Sequence, residues 1–147
     1  MKAKPIDIND AIAYAKKWQG ENKNHAKAFL IPANDLIACL TEMEVLVDNG
    51  AGTYTVKNVD DSGVRAYMAI KRPDGDLPTP QTEKLLIVGT KADCKGIHRD
   101  IVEGEKPSSC PGKDVDKMVA TLTGSGVFDF TDPCPNYCDT DSPLNNL

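Results

Sequence analysis

Lys84-Leu85-Leu86-Ile87-Val88-Gly89-Thr90 holds four consecutive apolar residues, Leu85 to Val88, with no polar partner between them. Side chains of a strand alternate between two faces, so a strand that is apolar at every position has both faces covered. This stretch is therefore expected at the centre of a sheet. Just upstream, residues 72–82 carry Pro73, Pro78 and Pro80 around Asp74-Gly75, too stiff and too short for a crossover helix. Residues 84–90 should then return antiparallel to the strand before them. That strand is 64–70, where Val64, Ala66, Met68 and Ile70 alternate with Arg65, Tyr67 and Lys71. Before it, residues 53–59 are rich in β-branched side chains and end at Asp60-Asp61-Ser62-Gly63, which predicts a hairpin joining 53–59 to 64–70.

Further upstream, two helices flank a short strand. Ile8, Ala11, Ile12, Ala15 and Trp18 recur at helical spacing, with Asp7 or Asn9 as cap, Lys16 and Lys17 in the last turn and Gly20 beyond. Residues 26–31 end in Phe29-Leu30-Ile31 before Pro32 and read as a buried strand. Asn34 can cap a second helix, in which Leu36, Leu40, Met43 and Val47 form one face until Asp48-Asn49-Gly50. Downstream, periodicity fails from 91 to 112, a length that implies a functional, cross-linked, metal-pinned or mobile segment. Val115, Met118, Val119 and Leu122 predict a third helix ending at Gly124, and Val127-Phe128-Asp129-Phe130 a further strand. The tail, interrupted by Pro133, Pro135 and Pro143, is expected to be irregular.

The expected fold is therefore α+β: a mostly antiparallel four- to five-stranded sheet with two or three helices on one face. Its 147 residues fit one domain, placed at 1–130, with an irregular Pro/Cys-containing tail, 131–147, packed on it. With 22 acidic against 17 basic residues and a net charge of −5, the chain has the wrong sign for neutralising phosphates, so no nucleic-acid partner is expected. No apolar stretch is long enough to span a bilayer, and the start, Met1-Lys2-Ala3-Lys4-Pro5-Ile6-Asp7, has no apolar core of a signal peptide. A cytoplasmic location is the expectation, with export by a route invisible in the sequence left open.

The cysteines are the most informative side chains. Cys39, inside the second helix beside Leu40, reads as a small core residue. Cys94, Cys110, Cys134 and Cys138, with His98, sit in or beside irregular segments, and several chemistries compete for them. Cys94, His98, Cys134 and Cys138 have the ligand types for a tetrahedral zinc site, with Cys110 as substitute, although both pairs have three intervening residues where the zinc knuckle has two. Two disulfides, Cys94 to Cys110 and Cys134 to Cys138, would instead close one long and one short loop and would need an oxidising compartment. Thiol–disulfide redox catalysis is a further alternative, against which Asp132 and Asp139 flank the pair and would raise a thiol pKa. Four reduced cysteines packing a proline-rich tail complete the alternatives.

Other motifs have plainer explanations. His25 follows a polar turn and reads as a solvated loop residue. Gly124-Ser125-Gly126 is a helix stop rather than a nucleophile elbow, and Gly89-Thr90-Lys91 and Gly50-Ala51-Gly52 lack the spacing of phosphate loops. Asp60-Asp61-Ser62-Gly63 and Asp139-Thr140-Asp141-Ser142 lack the glycine and glutamate of a calcium loop. Arg65, Tyr67, Lys71 and Arg72 offer either a small basic-aromatic groove or, more simply, a solvated sheet face.

Residues 27–32 (K-A-F-L-I-P), 64–67 (V-R-A-Y), 84–89 (K-L-L-I-V-G) and the ending Asp129-Phe130-Thr131-Asp132-Pro133-Cys134-Pro135-Asn136-Tyr137-Cys138-Asp139 resemble an uncharacterised family of small Bacteroidota proteins. The likeness runs from the first helix to Ser142-Pro143-Leu144, and D-F-T-x-P-C-P-x-x-C-D is its most distinctive part. Cys94 and Cys110 fall outside that pattern. The resemblance implies a bacterial lineage and no particular activity.

No set of acid, base and nucleophile emerges, so no catalytic residue is assigned and the chain is expected to be a non-enzymatic binding or assembly protein. Its partner would be another protein or a second copy of itself, met through the Cys/Pro tail and a sheet edge. The alternatives are a zinc-binding accessory protein, with zinc held by Cys94, His98, Cys134 and Cys138, and a thiol–disulfide protein or enzyme of another class.

Overall fold

Strand β5 (Glu83–Ala92) organises the chain as its apolar run requires. The computed structural model describes residues 4–71, 78–103, 126–129, 131–134 and 138–145. In chain order the elements are α1 (Ile8–Glu21), β1 (Phe29–Leu30), α2 (Ala33–Glu42), β2 (Leu46–Asp48), β3 (Tyr54–Val56), β4 (Ser62–Ile70), β5, β6 (His98–Asp100), β7 (Val127–Phe128) and β8 (Asp132–Pro133). The fold is α+β. Contacts divide the chain into a first unit of residues 1–30, 69–84 and 132–147 and a second of 31–68 and 85–131, with β4 and β5 contributing residues to both.

In the second unit β5 is central in a four-stranded sheet, β4-β5-β6, with β7 also paired to β5. β6 and β7 both run antiparallel to β5, with Thr90 opposite Asp100 and Ile87 opposite Phe128. The fully buried Thr131 holds Leu85 with its hydroxyl, accepting from Leu85 N–H at 3.0 Å and donating to Leu85 C=O at 2.9 Å. Helix α2 packs Cys39, Leu40 and Met43 into a core with Val45, Leu85, Ile87, Ile101 and Phe128. Gly89 is the gap that admits Met43.

The first unit holds α1, whose N-terminus is capped by Asp7 accepting from Asn9 N–H at 2.8 Å. The helix runs through Gly20 and stops where Asn22 donates to the Trp18 carbonyl from both its backbone and side chain, at 2.9 and 2.8 Å. β1 and β8 form an antiparallel two-stranded ribbon, Phe29 opposite Pro133 and Leu30 opposite Asp132.

Several expectations are corrected. Helix α2 does not reach Val47: Glu44 adopts φ 57°, past the end of the helix, and the chain, with β-branched Val45 and Val47, turns into β2. Residues 54–56 then pair back with β2 around Gly50, Ala51 and Gly52, all at positive φ, so the hairpin is β2–β3 rather than 53–59 with 64–70. Pro32, not Asn34, occupies the helix cap, because fixed φ suits that position without a side-chain bond. The aperiodic segment contains β6, and the tail contains β8, whose Pro133 is tolerated because a two-stranded ribbon leaves one edge of each strand unpaired. The helix expected at 115–122 lies outside the described residues.

Candidate functional site

After α1 the chain turns through residues 22–25, with His25 N–H donating to Asn22 C=O at 3.1 Å, and brings Lys23, His25 and Lys27 to one side. Opposite them, the tail is fixed by three kinds of bond. Cys134 N–H donates to Ala28 C=O at 2.9 Å, continuing the β1–β8 ribbon. Cys134 and Cys138 are joined by a disulfide, their Cα atoms 5.0 Å apart, an ordinary span for that bond. Beyond it, Asn145 donates from its side chain to Asp139 C=O at 3.1 Å and from its backbone to Ser142 C=O at 3.0 Å, while Gln19 of α1 donates to Leu144 C=O at 2.9 Å. Between these walls lies a cleft of about 450 Å³ lined by Lys23, His25, Lys27, Pro80, Cys134, Cys138, Thr140 and Asn145.

His25, expected to be a solvated loop residue, is instead tied down. Its Nδ1 pairs with the Glu83 carboxylate, and its ring meets Trp18 edge-on at 6.4 Å between centroids. Glu83 is 3% exposed and also accepts the Ala26 N–H at 2.6 Å. A buried carboxylate is tolerable because both oxygens have donors. The 79–82 turn delivers Glu83 to this position, its N–H donating to Thr79 C=O at 3.0 Å. The overlooked signal was an acid two residues before the four-residue apolar run, at the first position of the strand, where burial of the strand reaches its first side chain too.

In the second unit Arg65 and Tyr67 do not form an open basic groove. The Arg65 guanidinium pairs with Asp100 and donates to His98 C=O at 3.0 Å, and the Tyr67 hydroxyl donates to Asp100 Oδ2 at 2.5 Å. The Tyr67 bond foremost, and Asp100 after it, hold the Arg65 pKa above its ordinary value. His98 Nδ1 lies 3.1 Å from Thr90 Oγ1, and both side chains lie beside Gly63, where an added Cβ would come within 3.0 Å of the Thr90 hydroxyl. This network joins β4 to β6 across β5. A second cleft, about 690 Å³, lies along α2 and is lined by Asn34, Ile37, Ala38, Thr41, Glu42, Asp48, Tyr54 and Phe128.

The residues assigned to a metal are therefore distributed as follows. Cys94 sits exposed in the turn after β5 and is disulfide-bonded, and His98 lies on β6, both in the second unit. Cys134 and Cys138, bonded to each other, lie in the first. Cys110 lies outside the described residues. Among the described residues no group of three or more His, Cys, Asp or Glu side chains is gathered as a metal site. Cys39 is fully buried, and burial foremost, with Glu42 beside it, pushes its thiol up to about 11. No family model, curated protein or solved structure matches the chain. Among the described residues no helix is long and apolar enough to cross a membrane.

Proposed function

We propose that the protein is a non-enzymatic binding or assembly protein that meets a protein partner, a second copy included, through its C-terminal tail and the ribbon the tail completes. The observation that carries this reading is that the tail is built into the first unit as strand β8, closed by a disulfide and anchored to α1. Preorganisation of this kind lowers the entropy lost on binding. The ribbon has two strands, so each strand keeps an outer edge, and Leu30 on β1 is 50% exposed.

The test is sedimentation and native mass spectrometry of the full chain beside Leu30→Asp, which changes an exposed side chain and should leave the circular dichroism spectrum unchanged. Self-association of the wild type, lost in the variant, is the expected result. A wild type that stays monomeric up to about millimolar concentration, the weak end of specific association, would overturn assembly through this edge.

A further inference from the structure

We propose that the cleft of the first unit is a binding site for a small anionic group, a carboxylate or a phosphate, held between Lys23, Lys27 and the tail. The proposal rests on the binding reading above and supplies the chemistry of what is bound. The chain carries a net charge of −5, yet the charged side chains lining this cleft are Lys23 and Lys27, with no carboxylate among the lining side chains described. Glu83, the nearby acid, is turned under His25 and already accepts from His25 and Ala26.

The lysines are available for a ligand. Three described cations are paired with carboxylates, Lys17 with Glu21, Arg99 with Asp93 and Arg65 with Asp100, and none of these lines the cleft. Among the described residues neither Lys23 nor Lys27 has a carboxylate partner, and the polar contact of Lys27 is the Asn145 carbonyl at 3.5 Å. Two unpaired ammonium groups on the rim of a concave site concentrate positive potential and attract anions. The volume, about 450 Å³, suits one small molecule or an acidic side chain with its neighbours. The tail supplies the opposite wall, lined by Cys134, Cys138, Thr140 and Asn145.

The experiment is an amide-resolved NMR titration of the full oxidised chain with citrate, inorganic phosphate, a blocked tetraglutamate peptide and neutral glycerol, repeated on Lys23→Ala/Lys27→Ala. Both lysines are exposed, so the variant should keep the wild-type spectrum away from the cleft. Saturable shifts at residues 23, 25, 27, 140 and 145 with the anions are expected, weakening with salt and falling about tenfold or more in the variant. Tighter binding of the peptide than of citrate or phosphate would assign the anion to a protein partner, and the reverse to a free small molecule. Shifts at those residues from glycerol but not from anions would overturn the ligand class and leave the binding reading standing. No anion response there, or an equal one in the double variant, would overturn the site, while the Leu30→Asp result judges the assembly reading independently.

Discussion

At Gly89 an added Cβ would lie 2.4 Å from Met43 Cγ and 2.7 Å from its Sδ, well inside contact distance. Met43 is 4% exposed and belongs to the core cluster, so its chain has little room to swing away. Gly89→Ala should therefore act as overpacking and cost about 1–3 kcal/mol, read as a lowered urea midpoint with unchanged slope. Met43→Ala removes the atoms that clash, and the double variant should be less destabilised than the sum of the singles. A Gly89→Ala midpoint equal to wild type would refute the close approach of α2 to β5. Nothing in K-L-L-I-V-G-T announces this contact, because a glycine in a strand signals close approach without naming what approaches. The same limit hid the His25–Glu83 pair: each residue was visible, but the partner came from a distant part of the chain.

Among the elements, α1 and α2 were legible because each repeats its helical pattern often enough for the period to show, and β5 because its apolar run is long and unbroken. β2, β6 and β8 have two or three residues, too few for alternation to register, and they exist because a partner strand supplies the other half of the ladder. The β5–β6 turn nevertheless had a local signature. In Asp93-Cys94-Lys95-Gly96-Ile97 the Asp93 Oδ1 accepts from Lys95 and Ile97 N–H at 2.8 and 3.0 Å, and Gly96 takes φ 76°. The second oxygen, Oδ2, accepts from Arg99 Nε at 3.0 Å. The Ile97 bond foremost, then those from Lys95 and Arg99, holds the Asp93 carboxyl below its ordinary value against the effect of burial. The folded chain thus binds this proton less readily than the unfolded chain. The stability it contributes is complete above the ordinary aspartate value of about 3.9 and is lost as pH falls through the lower folded value. Asp93→Asn removes that dependence while keeping an acceptor. In urea unfolding across pH, the gap between wild type and Asp93→Asn should be constant from about pH 5 to 8 and shrink below about pH 4. A gap that widens on acidification would show that the carboxylate is not held this way.

For the whole molecule the cysteines give a test that needs no ligand. Their positions in the sequence left metal, disulfide, redox and simple packing all open, since spacing alone does not reveal which sulfurs meet. Cys39 is free and fully buried, with its thiol pushed up to about 11, whereas Cys134 and Cys138 are bonded to each other and Cys94 is disulfide-bonded. Thiolate, not thiol, is the reactive form, so burial and the raised pKa protect Cys39 twice. Iodoacetamide applied to the native protein at neutral pH should label none of these four residues. Applied in denaturant without reductant, it should label Cys39 alone among them, and after reduction all four, as read by peptide mass mapping. Labelling of Cys134 and Cys138 before reduction would mean that the tail is held by its ribbon bonds to β1 and not by a covalent loop. Trapping the thiols with acid at cell lysis extends the same measurement to the compartment. A Cys134–Cys138 bond already present at that moment requires an oxidising environment, because cytosolic thiol buffers keep such pairs reduced. Thiols at that moment, followed by oxidation in air, would instead place the protein in a reducing compartment and make the bond a product of purification.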